Sequence, residues 1–268
     1  MLGALAGIVA TSSLPYLIPG AALRPIDRRS AAVIDELSLT DPDPAFLVNA
    51  TSSLTAAGYH VDYYPPSRAT VSLFQVLPRL GYGLVIIRSH ASSDAIVTSQ
   101  PYSQSQYVWP QLTGSLSDEK ISNGDDYFAI TSDFVNNQMQ GSFQEATIIV
   151  MGCQSVQGTP DFAAAFIHKG AGAFVGWDNM VSLQYTDEST AHLVKLIALG
   201  RPVENAVQTV GAQDPVYHSR LVLIDSSSLA FDQLKGTLDL LRQLVLAAVL
   251  FMLGPLVLGL ILKRLWGL

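Results

Sequence analysis

Four continuous apolar runs constrain this chain more than any other feature: AAVI at 31–34, LVII at 84–87, ATIIVM at 146–151 and GAFVGW at 172–177. A strand with one wet face alternates apolar and polar residues, whereas a strand covered on both faces is apolar throughout, as in parallel sheets flanked by helices. The segments between the runs carry the helical period. Residues 45–57 (AFLVNATSSLTAA) follow LTDPDPAF, which supplies prolines and aspartates for a helix start, and end at Gly58, a suitable C-terminal stop. YHVDYY at 59–64 then alternates as a strand does, so a β-α-β unit opens the domain. Residues 70–80 repeat the helical pattern before Gly81 and Gly83, PDFAAAFIHKGA is a further helix, and 183–199 and 201–211 are two more. RLVLIDS at 220–226 reads as an edge strand, and no internal repeat is visible. This alternation predicts an α/β fold, a mainly parallel sheet between two helical layers.

Residues 92–145 break the pattern. They are polar, rich in Ser, Gln, Asn and Tyr, and include DDYFAI and a helix-like SDFVNNQMQ closed by Gly141. They are expected to form an insertion that packs on the domain and borders a site.

With 49% of its residues apolar, the chain can bury a core without metals or disulfides. Only 15 Lys and Arg stand in a chain of net charge -7, and no basic run interleaves with aromatics, which argues against a nucleic-acid partner. His60, His168, His192 and His218 lack the paired spacing of a zinc site, so no metal is expected. Gly170, Gly172 and Gly176 lead into a strand rather than open a helix, which rules out a dinucleotide fingerprint; no cofactor is expected. Cys153 is the single cysteine, so no intramolecular disulfide forms. The commonest role of such a thiol is that of a small buried hydrophobe.

Position suggests more for this thiol. In an open parallel sheet, ligands bind at the carboxyl ends of the strands, because each strand delivers its following loop to the same rim. LVIIRSH ends at His90 and ATIIVMGC ends at Cys153. A thiol becomes a nucleophile as the thiolate or with a base in reach, and an imidazole across that rim supplies the base. The backbone N–H groups of Ala91 and Cys153 would hold a developing oxyanion, with Gly152 permitting a sharp turn. Asp94 would either orient His90 or sit in a solvated loop.

LVIIRSHAS and TIIVMGCQS resemble the histidine and cysteine blocks of the cysteine peptidase clan that contains caspases, gingipains, clostripain and separase, with the related CHAT domains. PDFAAAFIHKGAGAFVGW and TDESTAHLVKLIALGRPVENAVQTV are similar to the helix, strand and paired closing helices that follow the cysteine in CHAT and gingipain-like domains. The resemblance spans about 31–225. It departs from the clan at Ala91, where glycine is usual, and in the context of the cysteine, which is not the caspase Gln-Ala-Cys. It implies a three-layer caspase-hemoglobinase-like domain over 31–230, a cysteine endopeptidase acting on protein or peptide through a Cys153-His90 dyad, and a substrate pocket lined by Trp177 and Asp178 at the end of the strand that follows the cysteine. The alternative is a catalytically inactive member serving as a surface interaction module.

The two ends of the chain are apolar. Leu244 to Leu262 is free of charge and matches the roughly 20 residues a membrane-crossing helix needs, so residues 243–262 are expected to be a transmembrane helix. Lys263, Arg264 and Trp266 follow, and cationic residues favour the cytoplasmic side, which puts the domain outside a single-pass cell-membrane anchor. Residues 1–23 are also uncharged but broken by Pro15 and Pro19; they read as a signal peptide, or as an anchor that would keep Arg24, Arg28 and Arg29 inside.

Overall fold

A computed structural model describes residues 27–158, 161–211 and 213–230, with 234, 235, 237–244, 246 and 247. The chain divides into two compact units, Met1–Ile224 and Asp225–Leu268. In the first unit, β1 (Asp27–Asp35), α1 (Pro44–Ala56), β2 (His60–Tyr64), α2 (Val71–Val76) and β3 (Tyr82–Arg88) come first. Next are β4 (Ala95–Pro101), α3 (Val108–Leu112), β5 (Leu116–Lys120), β6 (Asp126–Thr131) and α4 (Ser132–Asn137). β7 (Thr147–Val150), α5 (Asp161–His168), β8 (Ala173–Trp177), α6 (Leu183–Ala198), α7 (Val203–Val210) and β9 (Leu221–Ile224) complete it. In the second unit the described residues 226–230 are helical.

The main sheet has six strands in the order β2-β1-β3-β7-β8-β9. Its first five are parallel, and β9 returns antiparallel to β8 with Trp177 opposite Leu221. This is the mainly parallel, helix-flanked sheet that the caspase-like resemblance implies, and RLVLIDS does supply its edge. Ile34 pairs with Ile87 and Ile87 with Val150, so the ends of β1, β3 and β7 lie side by side.

Both faces are covered, which explains the unbroken apolar runs. On one face Ala31, Val33, Leu84, Ile86, Ile149 and Val175 pack in one core with α1, α6 and α7. Their alternates Ala32, Ile34, Val85, Ile87, Ile148 and Val150 are equally buried and, by the period of two, point to the other face. There α5 stacks Phe162 and Phe166 on Phe174 of β8.

Local chemistry sets the helix ends. Asp43 caps α1 by accepting the Phe46 N–H at 2.9 Å, Pro44 occupies the first turn, and Gly58 takes the left-handed φ of 83° just beyond the end. The helix predicted over 70–80 is shorter: α2 stops at Val76 and Leu77–Leu80 tightens into a 3-10 turn around Pro78, which has no N–H to continue an α-helix.

The predicted polar insertion 92–145 contains a second sheet, antiparallel, in the order β4-β6-β5. It has its own small core of Ala95, Val97, Ile121, Tyr127 and Ala129. β5 (LSDEK) escapes a hydrophobicity reading because it is an edge strand carrying charge, the usual protection for an edge. In β4, Thr98 is fully buried and is satisfied by donating its hydroxyl to Phe128 O at 2.7 Å. Among the described residues no helix is long and apolar enough to cross a membrane. The expected span at 243–262 lies outside the described residues apart from 243, 244, 246 and 247, as does the whole of 1–23.

One polar cluster ties the sheet to its helices. Arg88, at the end of β3, is only 1% exposed. Its guanidinium grips Asp187 of α6 through two bonds of 2.8 Å, reaches Asp35 of β1 at 3.1 Å, and donates to Asp41 O at 2.9 Å. Asp35 also accepts from Ser38 and from the Tyr63 hydroxyl. A planar five-donor fork suits this task where an ammonium would not. Replacing Arg88 by Met is expected to strand two buried carboxylates and cost about 3–5 kcal/mol of unfolding free energy, to be measured by urea denaturation.

Candidate active site

β3 hands the chain to a turn that is pinned on every side. After Arg88, Ser89 is buried, its Oγ 2.7 Å from Val97 O and 2.8 Å from His90 O. The His90 N–H donates to Glu36 Oε2 at 2.9 Å, and the His90 carbonyl accepts from Val97 N at 2.9 Å. Ala91 bridges Ile96 of β4, so the second sheet begins at the histidine turn. The imidazole is half-buried with Nε2 3.4 Å from Thr40 Oγ1. Burial, more than the neighbouring charges, pushes its pKa below the ordinary value; Asp41 opposes that and Arg88 adds to it. The ring is therefore neutral at neutral pH, the form that accepts a proton.

β7 continues past its last paired residue, with Met151 N donating to Ile87 O at 2.9 Å. Gly152 follows where no side chain fits: a Cβ there would collide with Ala91 Cβ, lie 2.5 Å from Ser89 O and 2.8 Å from Ala91 N. The turn bearing Cys153 is thus seated directly on the turn bearing His90. The chain then reverses through Gln154, whose φ of 57° is uncommon for a side-chain-bearing residue and is held by Gln154 N donating to Asn179 O at 3.0 Å.

The half-buried Cys153 thiol lies against the backbone of Val181. Its sulfur accepts the Val181 N–H at 3.5 Å and stands 3.7 Å from Val181 O. Among the described residues the thiol and the imidazole do not hydrogen-bond to each other, since one is engaged with Val181 and the other with Thr40. The N–H groups of Ala91 and Cys153 donate to no acceptor among the described residues. The sheet therefore brings His90, Ala91 and Cys153 to one rim.

The other expected site residues lie elsewhere or do something else. Trp177 is fully buried, its Nε1 donating to Thr186 Oγ1 at 2.9 Å and its ring packed 5.7 Å from Tyr185. With no surface to offer, it packs beneath the cysteine turn, which corrects the expectation of substrate contact. Asp178 is half-buried and accepts the Arg220 N–H at 2.7 Å, extending the β8–β9 pairing. Asp94 is exposed and its N–H points to Ser92 Oγ at 3.3 Å. The groups facing the imidazole are instead Thr40 and Asp41, in the turn after β1.

Glu36 is a site residue the sequence reading passed over. It is fully buried, supports the His90 backbone through Oε2 and leaves Oε1 without a partner. Its signal was an acidic pair, Asp35 and Glu36, closing an apolar strand that delivers to the rim. Burial pushes its pKa to about 7, against the pull of the bond from the His90 N–H. A carboxyl whose pKa is higher folded than unfolded holds its proton more tightly in the native state, so that stabilisation is full below about pH 4.5 and is lost as pH rises through 7. Relative to wild type, Glu36→Gln is expected to remove about 3 kcal/mol of stability loss between pH 4.5 and 8, read from paired urea unfolding curves.

No known family pattern matches the chain, and no curated protein matches it. Among solved structures it is similar to the Arg-specific cysteine proteinase gingipain R, with 13% identity and a TM-score of 0.39, over 67% of this chain and 40% of that one. It is likewise similar to RgpB of Porphyromonas gingivalis in a complex of its pro- and mature domains, with 13% identity and a TM-score of 0.41, over 68% of this chain and 42% of that one. The chain thus spans about two-fifths of the length of these proteins.

Proposed function

We propose that the chain is a cysteine endopeptidase acting on protein or peptide, with Cys153 as nucleophile and His90 as its base. The observation that carries this reading is the seating of the Cys153 turn on the His90 turn, where Gly152 leaves no room for a side chain against Ala91 and Ser89. His90 takes the thiol proton, the sulfur attacks the substrate carbonyl carbon, and the carbonyl oxygen gains charge facing the Ala91 and Cys153 N–H groups. His90 then gives its proton to the departing amine as the C–N bond breaks, leaving a thioester. Water, deprotonated by the same imidazole, hydrolyses the thioester and restores the thiol.

A second reading has its own support. The thiol and imidazole each rest on a different partner, Val181 and Thr40, as in a silent relative that uses the rim or the second sheet for binding. An acyloxymethyl-ketone probe separates the two. The full-length protein is expected to be labelled, Cys153→Ala not at all, and His90→Ala about 100-fold or more slowly; equal labelling of wild type and Cys153→Ala would overturn the peptidase reading.

The proposal includes a membrane anchor at 243–262 with the catalytic domain outside the cell, supported by the uncharged run Leu244–Leu262 and the Lys263, Arg264 and Trp266 that follow. Added protease is expected to cleave the domain from intact cells; protection until lysis would place it on the inner side.

A further inference from the structure

Beside His90 lies a cavity of about 230 Å3 between the histidine turn and the tip of the β5–β6 hairpin, lined by His90, Ala91, Val97, Glu119, Lys120 and Ile121 among others. It is smaller than the roughly 300 Å3 at which sites for drug-sized ligands begin, and so has room for a single side chain. Its wall includes His90 and Ala91 but nothing from the Cys153 turn or the loop after β8. In the proposed reaction the imidazole gives its proton to the departing amine, so the amine half of the substrate must run along the histidine side of the rim.

Charge says what side chain would enter. Glu119 is half-buried, and its carboxylate has no hydrogen-bond or ion-pair partner among the described residues. Lys120 beside it is exposed and already faces Asp126 at 4.0 Å. The hairpin from 118 to 126 (DEKISNGDD) carries four acidic residues against one basic. Burial, with Asp118 adding to it, raises the Glu119 carboxyl above its ordinary pKa, the mark of a carboxylate short of a counter-charge.

We propose that this cavity is a specificity pocket for the leaving-group side of the scissile bond, in which Glu119 receives the cationic side chain of a Lys or Arg within two residues after the cleaved bond. The assignment rests on the peptidase reading for its place in the reaction, and on the cavity and the unpaired carboxylate for its ligand. Ala91, Val97 and Ile121 cover the aliphatic stem of such a side chain while Glu119 meets its head, the way long cationic side chains bury stem and expose charge.

The test uses two readouts on the full chain. Peptides with one acyl half and Lys, Arg, Gln or Glu at the first and second positions of the amine half are compared by kcat/KM. Wild type is expected to prefer the cationic peptides over their Gln counterparts about fivefold, as one partly screened charge pair allows. Glu119→Gln is expected to abolish that ratio and Glu119→Lys to turn it toward the Glu peptides; a ratio untouched by both variants overturns the pocket. The second readout is fluorescence anisotropy of the same labelled Lys and Gln peptides on Cys153→Ala protein, with and without Glu119→Gln. Lys-peptide binding that weakens with Glu119→Gln supports the pocket even if no thiol labelling is found, an outcome that overturns the peptidase reading alone. Binding indifferent to Glu119 overturns the pocket even where cleavage depends on Cys153. Circular dichroism melts of each variant separate a lost pocket from a lost fold.

Discussion

The buried guanidinium of Arg88 joins three parts of the chain at the rim through their polar groups. It links the end of the first strand through Asp35, the turn after that strand through Asp41 O, and the first turns of α6 through Asp187. Hydrophobic packing alone would hold these elements together without fixing their angular register, since apolar contacts carry no direction. A planar donor fork with three fixed acceptors does fix it. The histidine stands two residues further on, in the turn that follows the same strand, so its position is set by a cluster on the sheet behind it. Glu36 adds a second anchor one residue after Asp35, this time to the His90 backbone.

The cysteine side is positioned by different means. Close backbone approach replaces ion pairing: Gly152 brings two turns together without a side chain between them, and Gln154 accepts an uncommon backbone angle to reverse the chain. Beneath them, Trp177 and Thr186 form a chain of hydrogen bonds, the indole donating to the threonine hydroxyl and that hydroxyl to Met151 O at 2.9 Å. Thr186 sits one residue from Asp187. Successive residues of α6 thus support the two turns, one by charge and one by a neutral relay.

Much of this was legible in the sequence because sheet burial and rim position follow from local pattern. LVII and TIIV read as strands covered on both faces, and in a parallel sheet the residues ending them are delivered to the same edge. The second sheet was hidden because LSDEK carries an edge strand's charges and its core is five residues gathered from three separate segments. Glu36 and Thr40 were hidden for another reason. Their relation to His90 is made across β1 and β3, and pairing between strands about 50 positions apart leaves no trace in either one. Trp177 shows the reverse error, for a strand end names the rim but not whether its side chain turns up into solvent or down into the core.

The antiparallel return of β9 has a mechanical consequence. Because Leu221 lies opposite Trp177 and Ile224 opposite Phe174, the last strand starts near the rim and runs away from it. The mouth of the candidate site and the exit of the chain are at opposite ends of the same sheet. A pull on the residues after 224 would act on the rear of the domain, and the two turns that carry the reacting groups would be spared its strain.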